Sequence, residues 1–349
     1  MQSIWRKTTH VSEKRALQGN ISAQNVVIGA GMAGLLTAYF LWRKGLEVVV
    51  MEADRIAGGQ TKNTTAKITS QHGLCYHNMI KKAGFEWAKG YAAANESAIN
   101  AYEEIIREEG ISCQFERLPS FLYVTSEAGK ELLEQEADAA RKLGINAFFS
   151  DGKEIQELPF AVSGAVCFPN QAQFHPLEFV KALSDKLTIY ENTNVISVRG
   201  HVITTNRGTV TAENIIVATH YPFLNIPGFY FVRQHQERSY VLALEGEKVP
   251  EKLSAMYYGI DKGGLSFRSA EGKLLMGGGS HRTGKKTCHC EQQGYSYLKE
   301  QAQNFYPDAT EAAHWAAQDC MSHDGIPLIG KYSIFRPYWY VATGFQKWG

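Results

Sequence analysis

Apolar and polar positions follow two rhythms along this chain, and the first 60 residues show both. Residues 25–40 read NVVIGAGMAGLLTAYF: a continuous apolar run, a glycine-rich turn, then Met32, Leu35, Leu36, Tyr39 and Phe40 at helical spacing. The run predicts a buried strand, and the spacing predicts a helix with one face against a sheet. Gly45 is expected to end that helix, and residues 47–51 (EVVVM) to form the next buried strand. A polar loop over 57–70 follows, then helical stretches over 78–89 and 96–109, short strands over 113–117 and 121–125, and a helix over 128–143. His175-Pro176 opens another helix, with proline where its missing N–H is harmless and Glu178 in the first turn. Residues 187–218 are β-rich and include a hairpin over 201–211, turning at Asn206-Arg207-Gly208. Residues 215–218 (IIVA) read as a buried parallel strand. Alternating strands occupy 240–276, a helix 292–305, and an apolar strand 339–343 runs into Gly344.

Strands of the nucleotide-binding type therefore occur at the beginning, middle and end, with antiparallel material between them. The expected fold is α/β: a Rossmann-like unit interleaved with a substrate domain of antiparallel sheet plus helices. The nucleotide unit is expected to comprise residues 21–110, 151–230 and 311–349, and the substrate domain residues 111–150 and 231–310. No internal repeat or Pro/Ser-rich linker divides the chain.

Composition narrows the class. At 349 residues, 44% hydrophobic and 20% charged with formal net charge +1, the chain reads as an ordinary globular protein. Near-zero charge gives no reason to expect nucleic acid or an anionic membrane as partner. The start, MQSIWRKTTHVSEKR, lacks a signal-peptide apolar core, and no later run approaches a membrane span. The expected location is cytoplasmic. The six cysteines (Cys75, Cys113, Cys167, Cys288, Cys290 and Cys320) include no Cys-x-x-Cys pair, which argues against a disulfide framework. His281, Cys288, His289 and Cys290 are metal-capable, but neighbours in one turn cannot all converge on an ion, so no metal is expected.

The turn Gly29-x-Gly31-x-x-Gly34 carries the first chemistry. Gly29 makes the tight turn off the strand, Gly31 lets a pyrophosphate approach the backbone, and Gly34 allows close helix–sheet packing. The helix start offers free N–H groups and a positive dipole end to phosphate. Glu52 closes the second strand at about the 20-residue distance of an acid that binds a ribose hydroxyl. NAD and FAD share this fingerprint.

Features downstream distinguish them. Gly58-Gly59-Gln60-Thr61, residues 215–219 (IIVAT), 63–73 (NTTAKITSQHG), 316–332 (AAQDCMSHDGIPLIGKY) and 341–349 (VATGFQKWG) resemble the D-amino-acid oxidase, glycine oxidase and sarcosine oxidase superfamily of FAD-dependent oxidoreductases. They are most similar to a bacterial subgroup whose members often carry a C-terminal Rieske domain, expected to be absent here. The resemblance covers nearly the whole chain and implies FAD as cofactor. It implies that Gly29, Gly31 and Gly34 cradle the pyrophosphate, Glu52 holds the ribose, and Gly59 and Thr61 continue along the phosphates. Thr65, Ala66 and Lys67 would reach toward the flavin, Val195 would meet the adenine, and Ala218 and Thr219 would form a second cofactor turn. Gly325, Gly330, Gly344, Lys347 and Trp348 would close over the isoalloxazine.

The same resemblance implies hydride transfer from a small-molecule C–H or amine substrate to flavin N5, with reoxidation by oxygen or an electron-acceptor protein. Lys67, near the flavin pyrimidine, would stabilise the reduced ring's negative charge. His175 is a second candidate pocket residue. Amino-acid oxidases place an arginine ahead of the Asp-Gly-x-Pro turn to clamp a carboxylate. Here that stretch is Gln318-Asp319-Cys320-Met321-Ser322-His323, and Asp319 would repel a carboxylate and attract an ammonium. Arg268 or Arg282 could supply a clamp from elsewhere. Two alternatives stand beside the oxidase reading: an NAD(P)H-driven flavoprotein reductase, and an FAD-binding module without catalysis of its own. The second glycine cluster, 276–280 (MGGGS), lacks the GxGxxG helix a reductase usually needs. Related sequences continue past Gly-x-x-Lys-Trp-Gly into a helix, so a shortened chain with looser flavin retention is expected.

Overall fold

A computed structural model of the chain describes residues 2–226, 228–284 and 290–347. After a short helix α1 (Ile4–Thr8), the expected strand–turn–helix–strand forms as β1 (Ile21–Ile28), α2 (Met32–Arg43) and β2 (Val48–Met51). Gly45, at φ +74°, ends the helix and donates its N–H to the Trp42 carbonyl. Leu35 and Tyr39 are buried beneath α2, but Phe40 is exposed. One residue on from Tyr39, it is rotated about 100° around the helix and passes the sheet.

Next come β3 (Lys67–Ile68), α3 (Tyr76–Ala83) and α4 (Phe85–Glu108). The break between the helices falls at Gly84, in the left-handed region at φ +89°, and not in 90–95. That stretch, GYAAAN, is alanine-rich and continues as helix. Likewise β4 (Glu116–Val124) is one strand where two were expected, because a register shift between Leu118 and Ser120 accommodates Pro119. The chain continues through α5 (Lys130–Lys142), β5 (Phe148–Ser150), β6 (Gly164–Gln173) and α6 (Pro176–Ser184). Strands β7 (Thr188–Tyr190), β8 (Val195–Arg199), β9 (Val202–Thr205) and β10 (Gly208–Val217) follow, with β9 and β10 forming the expected hairpin. A turn of helix, α7 (Tyr230–Arg233), leads into β11 (Gln234–Glu245), β12 (Met256–Gly259), β13 (Ser266–Ala270) and β14 (Lys273–Arg282). Helix α8 (Cys290–Phe305) and strands β15 (Thr310–Ser322), β16 (Leu328–Ser333) and β17 (Arg336–Thr343) complete the chain.

Among the described residues these strands make two sheets. The first has the order β16-β17-β10-β1-β2-β7, with the β8–β9 pair attached to β10. Its central strands are parallel: β1 lies between β10 and β2, and β17 extends β10. The second has the order β15-β11-β14-β13-β12-β4-β6-β3, largely antiparallel, with β5 beside β6. Strands β3, β6 and β15 lie in stretches expected to belong to the nucleotide unit, yet they hydrogen-bond into the second sheet. Chain segments therefore cross between the sheets more often than the sequence pattern suggested.

One apolar cluster joins the sheets, running from Leu35 and Tyr39 through Phe174 and Phe179 to Val241, Leu275 and Trp315. Two buried indoles fasten the intervening loop: Trp5 Nε1 donates to the Thr64 carbonyl at 2.8 Å, and Trp315 Nε1 to the Asn63 carbonyl at 2.9 Å. No helix among the described residues is long and apolar enough to cross a membrane.

Candidate active site

The three glycines of the first turn differ in what a side chain would meet. At Gly29, with φ +108°, a Cβ would lie 2.5 Å from the Ala218 carbonyl oxygen, so this position excludes any other residue. At Gly34 a Cβ would lie 1.9 Å from the Gly29 oxygen, which makes this glycine the point of helix–turn contact. At Gly31 the only neighbour within 4 Å among the described residues would be Thr61 Oγ1, at 3.4 Å. Gly31 thus leaves space at the start of α2 that a Cβ would fill. Around it, Thr61 Oγ1 accepts from Met32 N–H at 2.9 Å, and Glu52 Oε2 accepts from Ala30 N–H at 2.8 Å. The acid expected to hold a ribose therefore stands at the end of β2 and braces the glycine turn.

This turn opens into a cavity of about 1210 Å³, larger than the roughly 300–1,000 Å³ of ordinary small-ligand pockets. Gly29, Gly31, Glu52, Gly59 and Thr61 line one end of it. Thr65, Ala66 and Lys67 line its wall with Val195, Ala218 and Thr219, and Asp319 and Lys347 also face it. The sequence thus brings together residues more than 300 positions apart. Gly34 lies behind the wall in its packing role. Gly325 borders a second cavity, and Gly330 and Gly344 line neither. Trp348 lies outside the described residues. A cavity of this size, the cradle at Gly31 and a buried His220 Nε2 without a hydrogen-bond partner on its wall fit a dinucleotide.

The charged groups gather at the other end. Lys67 Nζ donates to the Tyr257 carbonyl at 3.1 Å and stands 6.0 Å over the Tyr258 ring. Burial, reinforced by the Arg268 guanidinium, pulls its pKa down to about 7. Arg268 is buried and turned away from the cavity: Nη1 donates to the Thr65 and Ala66 carbonyls at 2.5 and 2.6 Å, and its guanidinium lies over the Trp5 ring. It shapes the loop that carries Lys67 and does not face a substrate. Ala66 sits at φ +55° within that loop.

Opposite, Asp319 on β15 stands directly across from Glu237 on β11. Lys347 Nζ lies 3.1 Å from Glu237 Oε2. Burial raises Asp319 to about 7, with Lys347 opposing the rise and Glu237 adding to it. A second cavity of about 1070 Å³ adjoins here, and the two share Tyr258, Gly264, Ser280, Gln346 and Lys347. Its other walls include His72, Tyr91, His281 and His323. Among the described residues no arginine lines either cavity. Arg282, the other expected clamp, is exposed at the end of β14.

His175 is a correction. Its Nδ1 accepts from Glu178 N–H at 3.3 Å as the N-cap of α6, and its Nε2 lies 2.9 Å from Thr8 Oγ1. The ring packs edge-on against Trp5 and is absent from the cavity wall, so it positions α1 against α6. Of the metal-capable turn, Cys288 and His289 lie outside the described residues. Sequence reasoning missed Glu237, Tyr258 and His220. Only strand pairing reveals the first two; His220 carried a signal in the sequence, since it directly follows Ala218-Thr219.

Comparison with known proteins agrees with this geometry. Residues 25–349 match the family described as FAD dependent oxidoreductase. The chain is 33% identical over 364 residues to the putative Rieske 2Fe-2S iron-sulfur protein YhfW of Bacillus subtilis, covering 100% of this chain and 70% of that protein. It is 24% identical to gamma-glutamylputrescine oxidoreductase of Escherichia coli over 58% of this chain and 50% of that one. Glycine oxidase from Geobacillus kaustophilus superposes with a TM-score of 0.74 at 19% identity, covering 94% of this chain and 90% of that chain. L-proline dehydrogenase from P. horikoshii superposes with a TM-score of 0.76 at 18% identity, covering 95% and 90%.

Proposed function

The chain belongs to the FAD dependent oxidoreductase family, and from that premise we propose that it oxidises a small amine lacking an α-carboxylate. FAD, when bound, supplies the two-electron chemistry, accepting a hydride at N5. Gly31 and the start of α2 would hold its pyrophosphate, Glu52 its ribose, and Lys67 would face the flavin. The observation that carries the substrate reading is Asp319 on the cavity wall, with no arginine on the wall of either cavity among the described residues. A carboxylate substrate would meet a carboxyl where it needs a cation, whereas an ammonium finds a matching partner. One name among the relatives, gamma-glutamylputrescine oxidoreductase, supports an amine class. Either oxygen or an electron-acceptor protein would reoxidise the flavin. The second possibility draws support from the Bacillus subtilis relative, whose name places it among Rieske iron–sulfur proteins.

The test is anaerobic. FAD-loaded protein is mixed with amines, with the matched α-amino acids and with NADH, and the loss of flavin absorbance is followed. Amines should reduce the flavin faster than their carboxylated counterparts, and NADH should leave it oxidised. Faster reduction by glycine or D-alanine than by the decarboxylated compounds overturns the substrate assignment.

A further inference from the structure

Where the two cavities meet, two carboxyl groups face each other across one strand pair. Asp319 and Glu237 are register partners on β15 and β11, so their side chains leave the sheet on the same face. Only Asp319 lines the cofactor cavity. Glu237 instead accepts from Lys347 Nζ at 3.1 Å and lies 3.4 Å from His235 Nε2. The remaining groups around the pair come from other elements: Tyr258 on β12, Lys347 after β17, and Arg282, the register partner of Glu237 on β14. One carboxyl is therefore committed to cations, and the other is left facing the site.

Resting on the amine reading above, we propose that Asp319 is the proton-exchanging carboxyl of this site and that Glu237 is its positioning residue, holding Lys347 away from it. In the oxidation, an N–H bond of the substrate ammonium breaks and its proton passes to Asp319 Oδ. The electron pair left on nitrogen forms the C=N bond as the C–H pair departs as hydride to the flavin, the two-electron oxidant. The product is an iminium, and charge and atoms balance. An ammonium cannot lose hydride while its nitrogen pair holds a proton, so a nearby acceptor that ionises close to neutrality is what this step needs. Burial raises Asp319 to about 7, and Glu237 adds to the rise. Glu237 is pushed up by burial, but Lys347 and His235 outweigh this and hold it below the ordinary carboxylate range. The pair divides the roles in the manner of two neighbouring acids whose surroundings separate their titrations.

Two readouts test this on the FAD-loaded protein. The infrared carbonyl band of the protonated acid is followed between about pH 5 and pH 9, the range in which a general base operates. The band should titrate near neutrality in the native protein and vanish in Asp319→Asn. Glu237→Gln, nearly isosteric, should lower the midpoint by about 1–3 units, because Lys347 is released to Asp319 and a like charge is gone. Lys347→Met should move it upward. Opposite shifts from two variants are not what general loosening of the site would give. In the second readout, anaerobic flavin reduction by an amine should rise with pH through the same midpoint and fall about 10²–10⁴-fold in Asp319→Asn. An unmoved infrared midpoint in Glu237→Gln overturns the proposal. So does an amine reduction rate equal in Asp319→Asn and the native protein. If no amine reduces the flavin while the midpoints shift as stated, the substrate reading fails and the division of roles between the carboxyls stands.

Discussion

Replacing Gly31 with valine separates cofactor binding from folding. At φ −81° the position accepts any L-residue, and a Cβ there meets nothing closer than Thr61 Oγ1 at 3.4 Å. The apoprotein should therefore lose no more than about 1 kcal/mol, the scale of replacing a tolerated N-cap residue by an apolar one. The bound pyrophosphate has no such freedom, because the added methyl groups occupy the space beside the first-turn N–H groups. Losing two hydrogen bonds to a charged group, each worth about 1.5–3 kcal/mol, weakens binding by about 3–6 kcal/mol, or roughly 10²–10⁴-fold in Kd. Gly34→Ala is the contrast. Its Cβ would sit 1.9 Å from the Gly29 oxygen, so α2 must move off the turn. Destabilisation of the apoprotein by about 3 kcal/mol is expected, at the upper end for overpacking. Calorimetric titration with FAD and thermal melting of both apoproteins measure the two effects. An unchanged FAD Kd in Gly31→Val, or a melting loss as large as that of Gly34→Ala, would refute the assignment of Gly31 as the phosphate cradle.

Other substitutions probe the opposite wall. Lys67→Met should make the flavin potential more negative below about pH 7, where Lys67 is charged, with the difference fading as pH rises; potentiometric titration of fully loaded protein reads this directly. Asp319→Asn should stabilise the apoprotein at pH 8 and much less at pH 5. A carboxyl raised from 3.8 to about 7 is protonated in the fold before it is in the unfolded chain, so native stability falls as pH climbs between those values. Melting temperatures at the two pH values check the sign. His175→Ala should remove the α6 cap and about 0.5–2 kcal/mol of stability while leaving the flavin potential unchanged; a shifted potential in that variant would return His175 to the site.

The nucleotide end was legible in the sequence because its logic is local. Gly29, Gly31, Gly34 and Glu52 lie within one strand–turn–helix–strand, and each fixes a backbone position that spacing alone can reveal. Helix ends were legible at Gly45 and at His175-Pro176, and misread at Gly84, where the break was expected later in the chain. Pro119 falls between the two strands expected there, and only the bulge opposite β6 shows how a single strand carries it. The other end of the site depends on register. Asp319 drew attention through its place before Asp324-Gly325, but Glu237 had no signal of its own, since its meaning comes from facing Asp319 across β11 and β15. Arg268 was a candidate clamp by charge, and only its burial and its hold on Thr65 and Ala66 show that it is structural.

The repeated crossing of the chain between the two sheets has a mechanical consequence. The cavity is walled on one side by residues of β1, β2 and the turn after β10, and on the other by residues of β3, β11 and β15, so a molecule filling it bridges both sheets. Bound FAD should then act as a clamp that makes the two sheets melt as a single cooperative unit. Stabilisation by a ligand grows with the logarithm of its concentration over Kd, and here that gain falls on the contact between the sheets. The empty protein should open along this seam first, exchanging the amide protons of Lys67 and Ile68 in β3 earlier than those of β1, whereas in the loaded protein the two should become protected together.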